Sequence, residues 1–261
     1  MRIARYTTGG EPSYGIVQSE PGSTEPSWIA QVHGDPLYTP VAGTGNRVEL
    51  ADVRLLAPVI PRSKIIGIGR NYADHAREMG DDVPSAPLMF LVPNTAVIGP
   101  GDPVVIPPQT QDCHYEGELA VVIGRMCKDV PAGQAASVIF GYTCANDVTA
   151  RDLQRRDGQW SRAKGFDTFC PLGPWIETDL DVADLGIRTR LDGRTVQAGS
   201  TADMIFGVPE LVAYASAAFT LLPGDVILTG TPAGVGPVQP GQRVEVEIDG
   251  LGALANPFVR R

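Results

Sequence analysis

The chain has 261 residues, 43% of them hydrophobic, and this length suits one sizeable domain with a small appendage. Its formal net charge of −9 disfavours nucleic acids and anionic membrane surfaces as partners. Because no apolar run approaches the length of a membrane span, and the first residues lack the hydrophobic stretch of a signal peptide, we expect a cytoplasmic protein.

Glycine and proline divide the chain into short pieces. There are 30 glycines and 23 prolines, and three Pro-Gly pairs each precede an apolar segment, as is typical of strands joined by turns. Residues 1–60 predict a small β-rich N-terminal domain, and residues 61–261 form the remaining, larger domain. The sequence therefore predicts an α+β fold that is dominated by strands.

A short helix is predicted over residues 72–79. On it, His75 and Glu78 lie three positions apart, so they share a face and can form a hydrogen-bonded pair. A glutamate that orients a histidine also raises its basicity, which is how water is activated. The residues alone favour an ordinary solvated helix face, because Asp74 and Arg77 are charged neighbours.

Two glutamates open an apolar strand that is predicted over residues 114–123. Since side chains two positions apart in a strand share a face, Glu116 and Glu118 project to the same side. Beyond Glu118 both faces are apolar, which indicates a strand covered on both sides. A carboxylate in such a place is costly unless a cation or hydrogen-bond donors compensate it. The pair alone leaves open whether it binds a metal or lies at the solvated start of the strand.

Asp147 adds a third carboxylate at a junction between a strand and a helix. A second strand is predicted over residues 139–145, and Thr149 with Asp152 resembles a capping box that opens the next helix. Functional side chains often lie at such junctions. Three carboxylates without a nearby Cys/His cluster suit Mg²⁺ or Mn²⁺ better than Zn²⁺. Because Mg²⁺ usually keeps positions for water or substrate, a catalytic site is favoured over a structural one.

Other polar residues can contact a ligand if the fold brings them together. Arg151 and Gln154 lie one helical turn apart, so both can face a ligand held by the metal, although a plain polar helix face is the alternative. Lys164 offers a compact positive charge to a developing enolate, but an isolated lysine is usually exposed. The glycine-rich loop 229–236 is either an anion site built from backbone N–H groups or a simple turn.

The remaining elements are predicted from local pattern. An Asp-Gly pair at residues 192–193 predicts a hairpin. Apolar spacing over residues 208–219 predicts an amphipathic helix with Pro209 in its first turn. The four cysteines are scattered and are expected to be small buried hydrophobes. A catalytic thiol at Cys144 has no other support.

Five segments of the chain resemble the fumarylacetoacetate hydrolase (FAH) family, in the family's order and spacing. They are GRNYADHARE (69–78), HYEGE (114–118), NDVTARDLQ (146–154), AKGFD (163–167) and TGTPAGVG (229–236). Together they cover the chain from about Lys64 to about Pro257, and the first sixty or so residues lie outside the resemblance. The similarity is strongest to the small members related to acylpyruvases and oxaloacetate decarboxylases.

The resemblance implies a fold and a set of roles. The fold is a mixed β-sandwich roll with the active site in its mouth, commonly assembled as a homodimer. The metal ligands for Mg²⁺ or Mn²⁺ are Glu116, Glu118 and Asp147. The catalytic residues are His75, Glu78 and Lys164, and the substrate-binding residues are Arg70, Arg151, Gln154 and Thr231.

The resemblance also implies that the predicted dyad of His75 and Glu78 lies on a mobile lid, which Gly69, Gly80 and the acidic pair 81–82 would allow to move. The chain departs from the family in one respect. Fumarylacetoacetase itself carries a further metal-binding aspartate shortly before its lid histidine, whereas residues 67–71 contain no acid. A site of three carboxylates is therefore implied, and hydrolysis of fumarylacetoacetate itself is disfavoured.

We therefore expect an enzyme that acts on small 2-oxo acids through a metal-stabilised enolate. It would hydrolyse the C–C bond of acylpyruvates or decarboxylate oxaloacetate. The alternative lies in aromatic catabolism, as a 2-hydroxyhepta-2,4-diene-1,7-dioate isomerase or a 5-oxopent-3-ene-1,2,5-tricarboxylate decarboxylase, because these reactions share the same enolate core. A non-catalytic protein that binds organic acids is a more remote alternative, since His75 and Lys164 are both intact.

Overall fold

Strands make up most of the regular structure in residues 1–80 and 82–260, which are the residues that the computed structural model describes. Asp81, beside the predicted lid, and Arg261 lie outside the described residues. The strands are β1 (Arg2–Thr7), β2 (Ser13–Ser19), β3 (Pro26–Val32), β4 (Gly43–Glu49), β5 (Arg54–Leu56), β6 (Ile65–Gly69), β7 (Leu88–Val92), β8 (Val97–Ile98), β9 (Val104–Ile106), β10 (Cys113–Tyr115), β11 (Gly117–Ile123), β12 (Ile139–Asn146), β13 (Thr149–Ala150), β14 (Cys170–Glu177), β15 (Gly186–Leu191), β16 (Arg194–Ser200), β17 (Val226–Leu228), β18 (Gly236–Pro237), β19 (Arg243–Ile248) and β20 (Gly252–Arg260). The α-helices are α1 (Ala73–Glu78), α2 (Arg151–Asp157), α3 (Ser161–Lys164) and α4 (Val208–Ala218). The prediction of a strand-dominated α+β fold is confirmed.

The strands form two large sheets and one small sheet. The longest has the order β4-β3-β2-β1-β14-β12-β11-β17-β6-β7, with β5 and β8 paired to β1 and β14. The second has the order β16-β15-β19-β20-β9, and the small one the order β13-β10-β18. Most neighbours are antiparallel, but β6–β17, β8–β14 and β9–β20 are parallel, so the sheets are mixed. Because β19 and β20 pack against β12 and β14, the result is the sandwich that the resemblance implies.

Strand β11 carries the site into the centre of the molecule, and all of its residues are buried. Leu119, Val121 and Ile123 pack with the apolar side chains of β19 in one core. Ala120 and Val122 point to the opposite face and pack with apolar residues of β17 in a second core. This confirms the prediction that the strand is covered on both sides.

The helices and the hairpin that local pattern predicted are present. Helix α4 spans Val208–Ala218 with Pro209 in its first turn, and its apolar face is buried. Helix α1 spans Ala73–Glu78, within the predicted range. Strands β15 and β16 are joined by Asp192 and Gly193, whose φ values of 49° and 81° suit a tight turn between twisted strands. None of the helices in the described residues is long and apolar enough to cross a membrane.

The predicted capping box at the start of α2 is wrong. The helix begins at Arg151 and no side chain caps it. Thr149 lies in β13 instead, and its hydroxyl donates back to the Asp147 carbonyl at 2.9 Å. Asp152 accepts a hydrogen bond from the N–H of Leu153 rather than from the residue expected of a capping box. Thr149 pairs with His114 of β10, so it belongs to a strand and the helix begins after it.

The single strand predicted over residues 114–123 is also wrong, because it is interrupted at Glu116. The Glu116 N–H donates to the side-chain oxygen of Asn146 at 2.9 Å and not to a backbone carbonyl of a neighbouring strand. Strands β10 and β11 consequently belong to different sheets. The prediction that all four cysteines are buried needs one correction. Cys127 is half-buried, and it lies in the connection between β11 and β12.

The N-terminal strands continue the main sheet. Strand β1 pairs with β14, with Ile3 opposite Ile176, and β2, β3 and β4 follow it in order. Residues of β1, β2 and β3 form a small core of their own together with Trp175 of β14. The division into domains of residues 1–60 and 61–261 stays a prediction.

Candidate metal centre and active site

Three buried carboxylates meet where β11 begins and β12 ends. Glu116 precedes β11 and Glu118 lies in it, while Asp147 follows β12 and donates its N–H to the Glu116 carbonyl at 2.9 Å. One ligand oxygen from each of the three lies within 4.8 Å of the others. The residues are only 4%, 1% and 1% exposed. The alternative of a solvated strand start is therefore wrong.

Two cations neutralise part of this charge. Lys164 Nζ lies 2.7 Å from Glu116 Oε2 and 2.7 Å from Asp147 Oδ2. The Arg151 guanidinium donates to the other oxygen of Glu116. Burial alone would raise the pKa of Glu116, but the charges of Lys164 and Arg151 outweigh it and hold that pKa below its usual value. Burial would lower the pKa of Lys164, and the charges of Asp147 and Glu116 raise it above its usual value instead.

In the part of the chain that the structure describes, the Glu118 carboxylate and one oxygen of Asp147 have no positively charged partner. Burial, followed by the negative charge of Asp147, raises the pKa of Glu118 well above its usual value. Glu118 accepts the Gly230 N–H at 2.8 Å. Asp147 Oδ1 is buried without a hydrogen-bond partner among the described residues. Three carboxylates against two cations, with an unpartnered carboxylate oxygen among them, fit a further cation with a preference for oxygen ligands, such as Mg²⁺ or Mn²⁺.

Helix α1 places a histidine close to this cluster. His75 Nδ1 lies 3.2 Å from Glu78 Oε2, and His75 is 6% exposed. Both Glu78 oxygens also accept the Gly234 N–H at 3.1 Å, so the helix is docked on the loop 229–236. The structure thus forms the His–Glu pair that the spacing predicted, while its catalytic role stays a prediction.

A cavity of about 380 Å³ brings most of the predicted site residues together. Those that line it are Arg70, His75, Glu116, Glu118, Arg151, Gln154, Lys164 and Thr231. Glu78 and Asp147 do not line it, and they reach it through their contacts with His75 and Lys164. Phe90 and Trp160 form an aromatic wall, with ring centroids 5.4 Å apart.

The predicted substrate-binding residues have partners of their own. Arg151 donates to Gln154 Oε1 at 2.6 Å as well as to Glu116. Arg70 has a φ of 58°, a left-handed conformation that is uncommon outside glycine, and its guanidinium lies 5.9 Å from the Trp160 ring centroid. This backbone angle turns the chain between β6 and α1, so Arg70 lies just before the helix that is predicted to form the lid.

The loop 229–236 is organised differently from the expected anion site. Two of its N–H groups, those of Gly230 and Gly234, already bind protein carboxylates. The Thr231 hydroxyl donates to the Gly117 carbonyl at 2.8 Å and accepts from Gln197 Nε2 at 2.8 Å. The side-chain hydrogen of Thr231 is therefore used inside the protein, and its predicted role in substrate binding stays a prediction.

Sequence reasoning missed the buried amides that hold these loops. Gln197, 1% exposed, donates to Thr231 and to the Pro232 carbonyl, and it accepts the Gly117 N–H at 3.0 Å. Asn71 similarly donates to the Thr229 carbonyl at 2.8 Å. Asn71 lies inside a matched segment, so that motif could have indicated it. No local signal indicates Gln197, because it lies in the second strand of a hairpin, 80 positions from Gly117.

The structure gives no support to a catalytic thiol. Cys144 is fully buried, and its thiol donates to the Gly252 carbonyl at 3.5 Å. Burial raises the pKa of the Cys144 thiol well above its usual value, which disfavours the reactive thiolate. Cys144 is also not among the residues that line the cavity.

The comparison with known protein families agrees with this arrangement. Residues 64–259 match the family described as fumarylacetoacetate (FAA) hydrolase C-terminal. The chain belongs to the fumarylacetoacetate hydrolase family. Residues 1–58 match a second family, described as Rv2993c-like, N-terminal. The resemblance carried by the five segments is thereby confirmed.

Relatives extend over most of the chain. Protein Rv2993c of Mycobacterium tuberculosis is 51% identical over 264 residues, which is 100% of this chain and 99% of the relative. Human mitochondrial oxaloacetate tautomerase FAHD2A is 46% identical over 221 residues, covering 80% of this chain and 70% of the relative. The family therefore includes at least one enzyme, a tautomerase, that is closely related to this chain.

Solved structures show the same fold. The crystal structure of 2-hydroxyhepta-2,4-diene-1,7-dioate isomerase from Mycobacterium marinum has a TM-score of 0.91 at 47% identity, and covers 100% of this chain and 99% of that one. Fumarylpyruvate hydrolase from Pseudomonas aeruginosa, in complex with Mn²⁺ and pyruvate, has a TM-score of 0.73 at 37% identity, covering 80% and 92%. Family members thus include hydrolases and isomerases, and one of them binds Mn²⁺.

Proposed function

We propose that this protein is a divalent-metal-dependent enzyme that acts on small 2-oxo acids or their 2-hydroxy-enoic forms. Its reaction would be C–C bond hydrolysis of acylpyruvates or decarboxylation of oxaloacetate. The observation that carries the proposal is the buried cluster of Glu116, Glu118 and Asp147, because its two glutamates line one cavity with Lys164 and His75. The Mn²⁺ and pyruvate bound by the related hydrolase support the choice of metal and substrate class.

Glu116, Glu118 and Asp147 would hold Mg²⁺ or Mn²⁺. When bound, such an ion supplies Lewis-acid polarisation of a substrate oxo group. The unpartnered Asp147 oxygen and the under-compensated Glu118 carboxylate are the groups that gain most from its charge. The Gly230 N–H keeps the Glu118 carboxylate turned towards the cluster.

Lys164 would stabilise negative charge on the substrate. Its ammonium is held by Glu116 and Asp147, and their charges raise its pKa, so it stays protonated in the cavity. A fixed positive charge next to the reacting oxygen lowers the energy of an enolate without any rearrangement of water. Arg70, Arg151, Gln154 and Thr231 would orient the substrate carboxylate, because all four border the same space.

His75 would move the proton. With Nδ1–H donated to Glu78, the other ring nitrogen is left to accept a proton from water or from the substrate. Docking of Glu78 on Gly234 holds the imidazole at the edge of the cavity. Hydrolysis uses such a base to activate water for attack on the distal carbonyl.

A second candidate is proton transfer without cleavage of a C–C bond. The same base and the same positive charge can isomerise a diene-dioate of aromatic catabolism or interconvert the keto and enol forms of oxaloacetate. The relatives named isomerase and tautomerase are 47% and 46% identical to this chain, whereas the relative named hydrolase is 37% identical. This difference in identity supports the second candidate. The cavity residues serve either reaction, so the products must decide.

A substrate panel tests both candidates. Oxaloacetate, acetylpyruvate, fumarylpyruvate and 2-hydroxyhepta-2,4-diene-1,7-dioate are incubated with enzyme and Mg²⁺ or Mn²⁺, and the products are followed by chromatography. Pyruvate with a second acid indicates hydrolysis, pyruvate with carbon dioxide indicates decarboxylation, and an isomer of unchanged mass indicates the second candidate. Binding of oxalate without any turnover would point to the non-catalytic organic-acid-binding protein instead.

The metal requirement has a separate test. Glu118→Ala removes one of the three ligands, and we expect Mg²⁺ affinity, measured by calorimetry, to fall by orders of magnitude while the fold survives. Glu49→Ala, at an exposed site, is the control. Full activity after exhaustive chelation would exclude the metal-dependent mechanism.

We also propose that the protein is a cytoplasmic homodimer, which the family resemblance and the sequence support. Light scattering coupled to size-exclusion chromatography measures the mass in solution, and cell fractionation measures the location. A fully active monomer would contradict the proposal of a homodimer.

A further inference from the structure

A second cavity, of about 400 Å³, lies where the N-terminal strands meet the main sheet. Its floor comes from three adjacent strands, with Arg5 of β1 opposite Tyr14 of β2 and Ile3 of β1 opposite Ile176 of β14. Opposite residues in antiparallel strands share a face, so these four side chains form one continuous surface. None of the residues lining this cavity lines the one beside the carboxylates.

The loop that borders this floor is held by Asp35. One of its carboxylate oxygens accepts from the Tyr14 hydroxyl at 3.0 Å, and the other accepts from the Leu37 N–H at 2.9 Å. Its backbone carbonyl accepts the Tyr38 N–H at 2.9 Å. Asp35 is therefore used to shape the loop, and each of its oxygens already has a partner.

The cavity carries an excess of positive charge in a protein whose net charge is −9. Arg5 is half-buried, and its guanidinium makes no hydrogen bond or ion pair within residues 1–80 and 82–260. Arg62, also in the lining, lies with its guanidinium 4.4 Å from the Tyr38 ring centroid. Both arginines oppose the effects of burial and Asp35 that raise the pKa of Tyr14 to about 12, so both charges act on the same space. A guanidinium that is partly desolvated without an anion is unfavourable.

We propose that this cavity is a binding site for a small organic carboxylate with an apolar body. The carboxylate would pair with Arg5 and Arg62, since the guanidinium fork matches two carboxylate oxygens. The body would cover the apolar part of this floor that stays accessible, which Leu37, Ile60 and Phe140 provide, since Ile3, Ile176 and Val59 are already buried. Inorganic phosphate would satisfy the arginines but leave this apolar floor uncovered, so we expect it to bind more weakly. The volume is within the range of sites for small molecules.

Titration calorimetry with benzoate tests the site, run with Mg²⁺ and oxalate present so that the carboxylate centre is occupied. We expect saturable binding of one benzoate per chain, weakened roughly 10- to 100-fold in Arg5→Met, as loss of a charged hydrogen-bond partner predicts. Arg54→Met, an arginine of β5 outside the cavity, is the matched control and should bind like wild type. Arg62→Met, at an exposed position, gives a second variant if Arg5→Met does not fold.

Several results would overturn the proposal. These are absence of saturable benzoate binding to the wild-type protein, unchanged affinity in both Arg5→Met and Arg62→Met, and loss of binding when oxalate is added. The last result would place benzoate at the carboxylate centre. Phosphate binding as tightly as benzoate would also contradict the proposal, because it would make the apolar floor irrelevant.

Discussion

Lys164 is the residue on which the charge balance of the carboxylate cluster depends. Its side chain is 3% exposed and contacts both Glu116 and Asp147. Removing one partner of a buried ion pair leaves the other charge uncompensated, which typically costs about 3–5 kcal/mol. The same ammonium is the group that would face an enolate, so stability and catalysis should respond together to its loss.

We therefore predict two effects of Lys164→Met. Turnover should fall about 10²- to 10³-fold, the usual effect of losing one preorganised electrostatic contact. The free energy of unfolding in the presence of a chelator should fall by about 3–5 kcal/mol, and Mg²⁺ should restore part of it, because the ion supplies positive charge to the same carboxylates. Kinetics and urea unfolding measure these effects, with the more exposed Lys128→Met as control. Wild-type turnover in Lys164→Met would remove this residue from the mechanism.

At the scale of elements, helix α1, the proposed lid, is held in place by Glu78 and by its buried residues. A helix of six residues is too short to be stable alone. Glu78 fastens its C-terminal end to Gly234, and Ala76 is fully buried beneath it. Opening the lid requires these contacts to break, and the same contacts bring His75 to the cavity.

His75→Ala should separate the lid from the metal centre. We expect the variant to bind Mg²⁺ and oxalate as wild type does, while hydrolytic turnover of an acylpyruvate falls about 10²- to 10⁴-fold through loss of the base. Decarboxylation of oxaloacetate should fall less, since it needs no activated water. Asp74→Ala, an exposed position on the same helix, is the control. Normal acylpyruvate turnover in His75→Ala would contradict the proposed role of the lid.

Hydrogen exchange tests the motion of the lid directly. We expect exchange across residues 72–80 to slow when oxalate binds, because closure orders the segment. Exchange in the core strand β11 should not change, which provides an internal reference. Equal protection of the lid with and without oxalate would show that the helix remains docked at all times.

Strand β11 packs closely against β15 and β19 at Gly117, next to the carboxylate cluster. A Cβ on Gly117 would lie 2.2 Å from Thr189 Oγ1 and 3.2 Å from Val246 Cγ1, so β15 and β19 approach the backbone too closely for a side chain. We predict that Gly117→Ala lowers the free energy of unfolding by about 1–3 kcal/mol, as overpacking does. It should also weaken Mg²⁺ binding, because a shift of the strand displaces Glu116 and Glu118. Gly133→Ala, where a Cβ meets nothing within 4 Å, is the control, and equal unfolding midpoints would contradict the prediction.

At the scale of the whole molecule, the N-terminal strands share one sheet with β11 and β12, beside which the three carboxylates lie. Strand β1 covers the edge of β14, and Trp175 and Ile176 of β14 are 7% and 2% exposed. Unpaired edges that carry apolar side chains promote aggregation. The N-terminal residues therefore have a structural function besides the cavity that they help to form.

Deletion of residues 1–60 is expected to expose this edge. We predict that the shortened protein aggregates or unfolds at a lower urea concentration than the full chain, measured by light scattering and circular dichroism. Mg²⁺ should raise the midpoint of both proteins, since the carboxylate cluster lies wholly within the retained part. A shortened protein with an unchanged midpoint would instead support residues 61–261 as an independent domain.

Features that depend on neighbouring residues were predictable from the sequence alone. The period of the apolar residues predicted α4, and the Asp-Gly pair predicted the hairpin between β15 and β16. The spacing of Glu116 and Glu118 and the position of Asp147 after a strand predicted that the three carboxylates lie close together, and they do. These predictions succeeded because backbone geometry over a few residues determines which side chains share a face.

The tertiary structure alone decided the contacts that complete the site. Arg151 donates a hydrogen bond to Glu116, and the Thr231 hydroxyl donates to the Gly117 carbonyl. Gln197 accepts the Gly117 N–H and so connects β16 to β11. The capping box failed for the same reason, because Thr149 pairs with His114 in a small sheet and the helix begins only at Arg151. Such contacts join residues that are mostly tens of positions apart in the chain. Which donor meets which acceptor depends on the register and packing of several sheets at once, and no local pattern in the sequence encodes that choice.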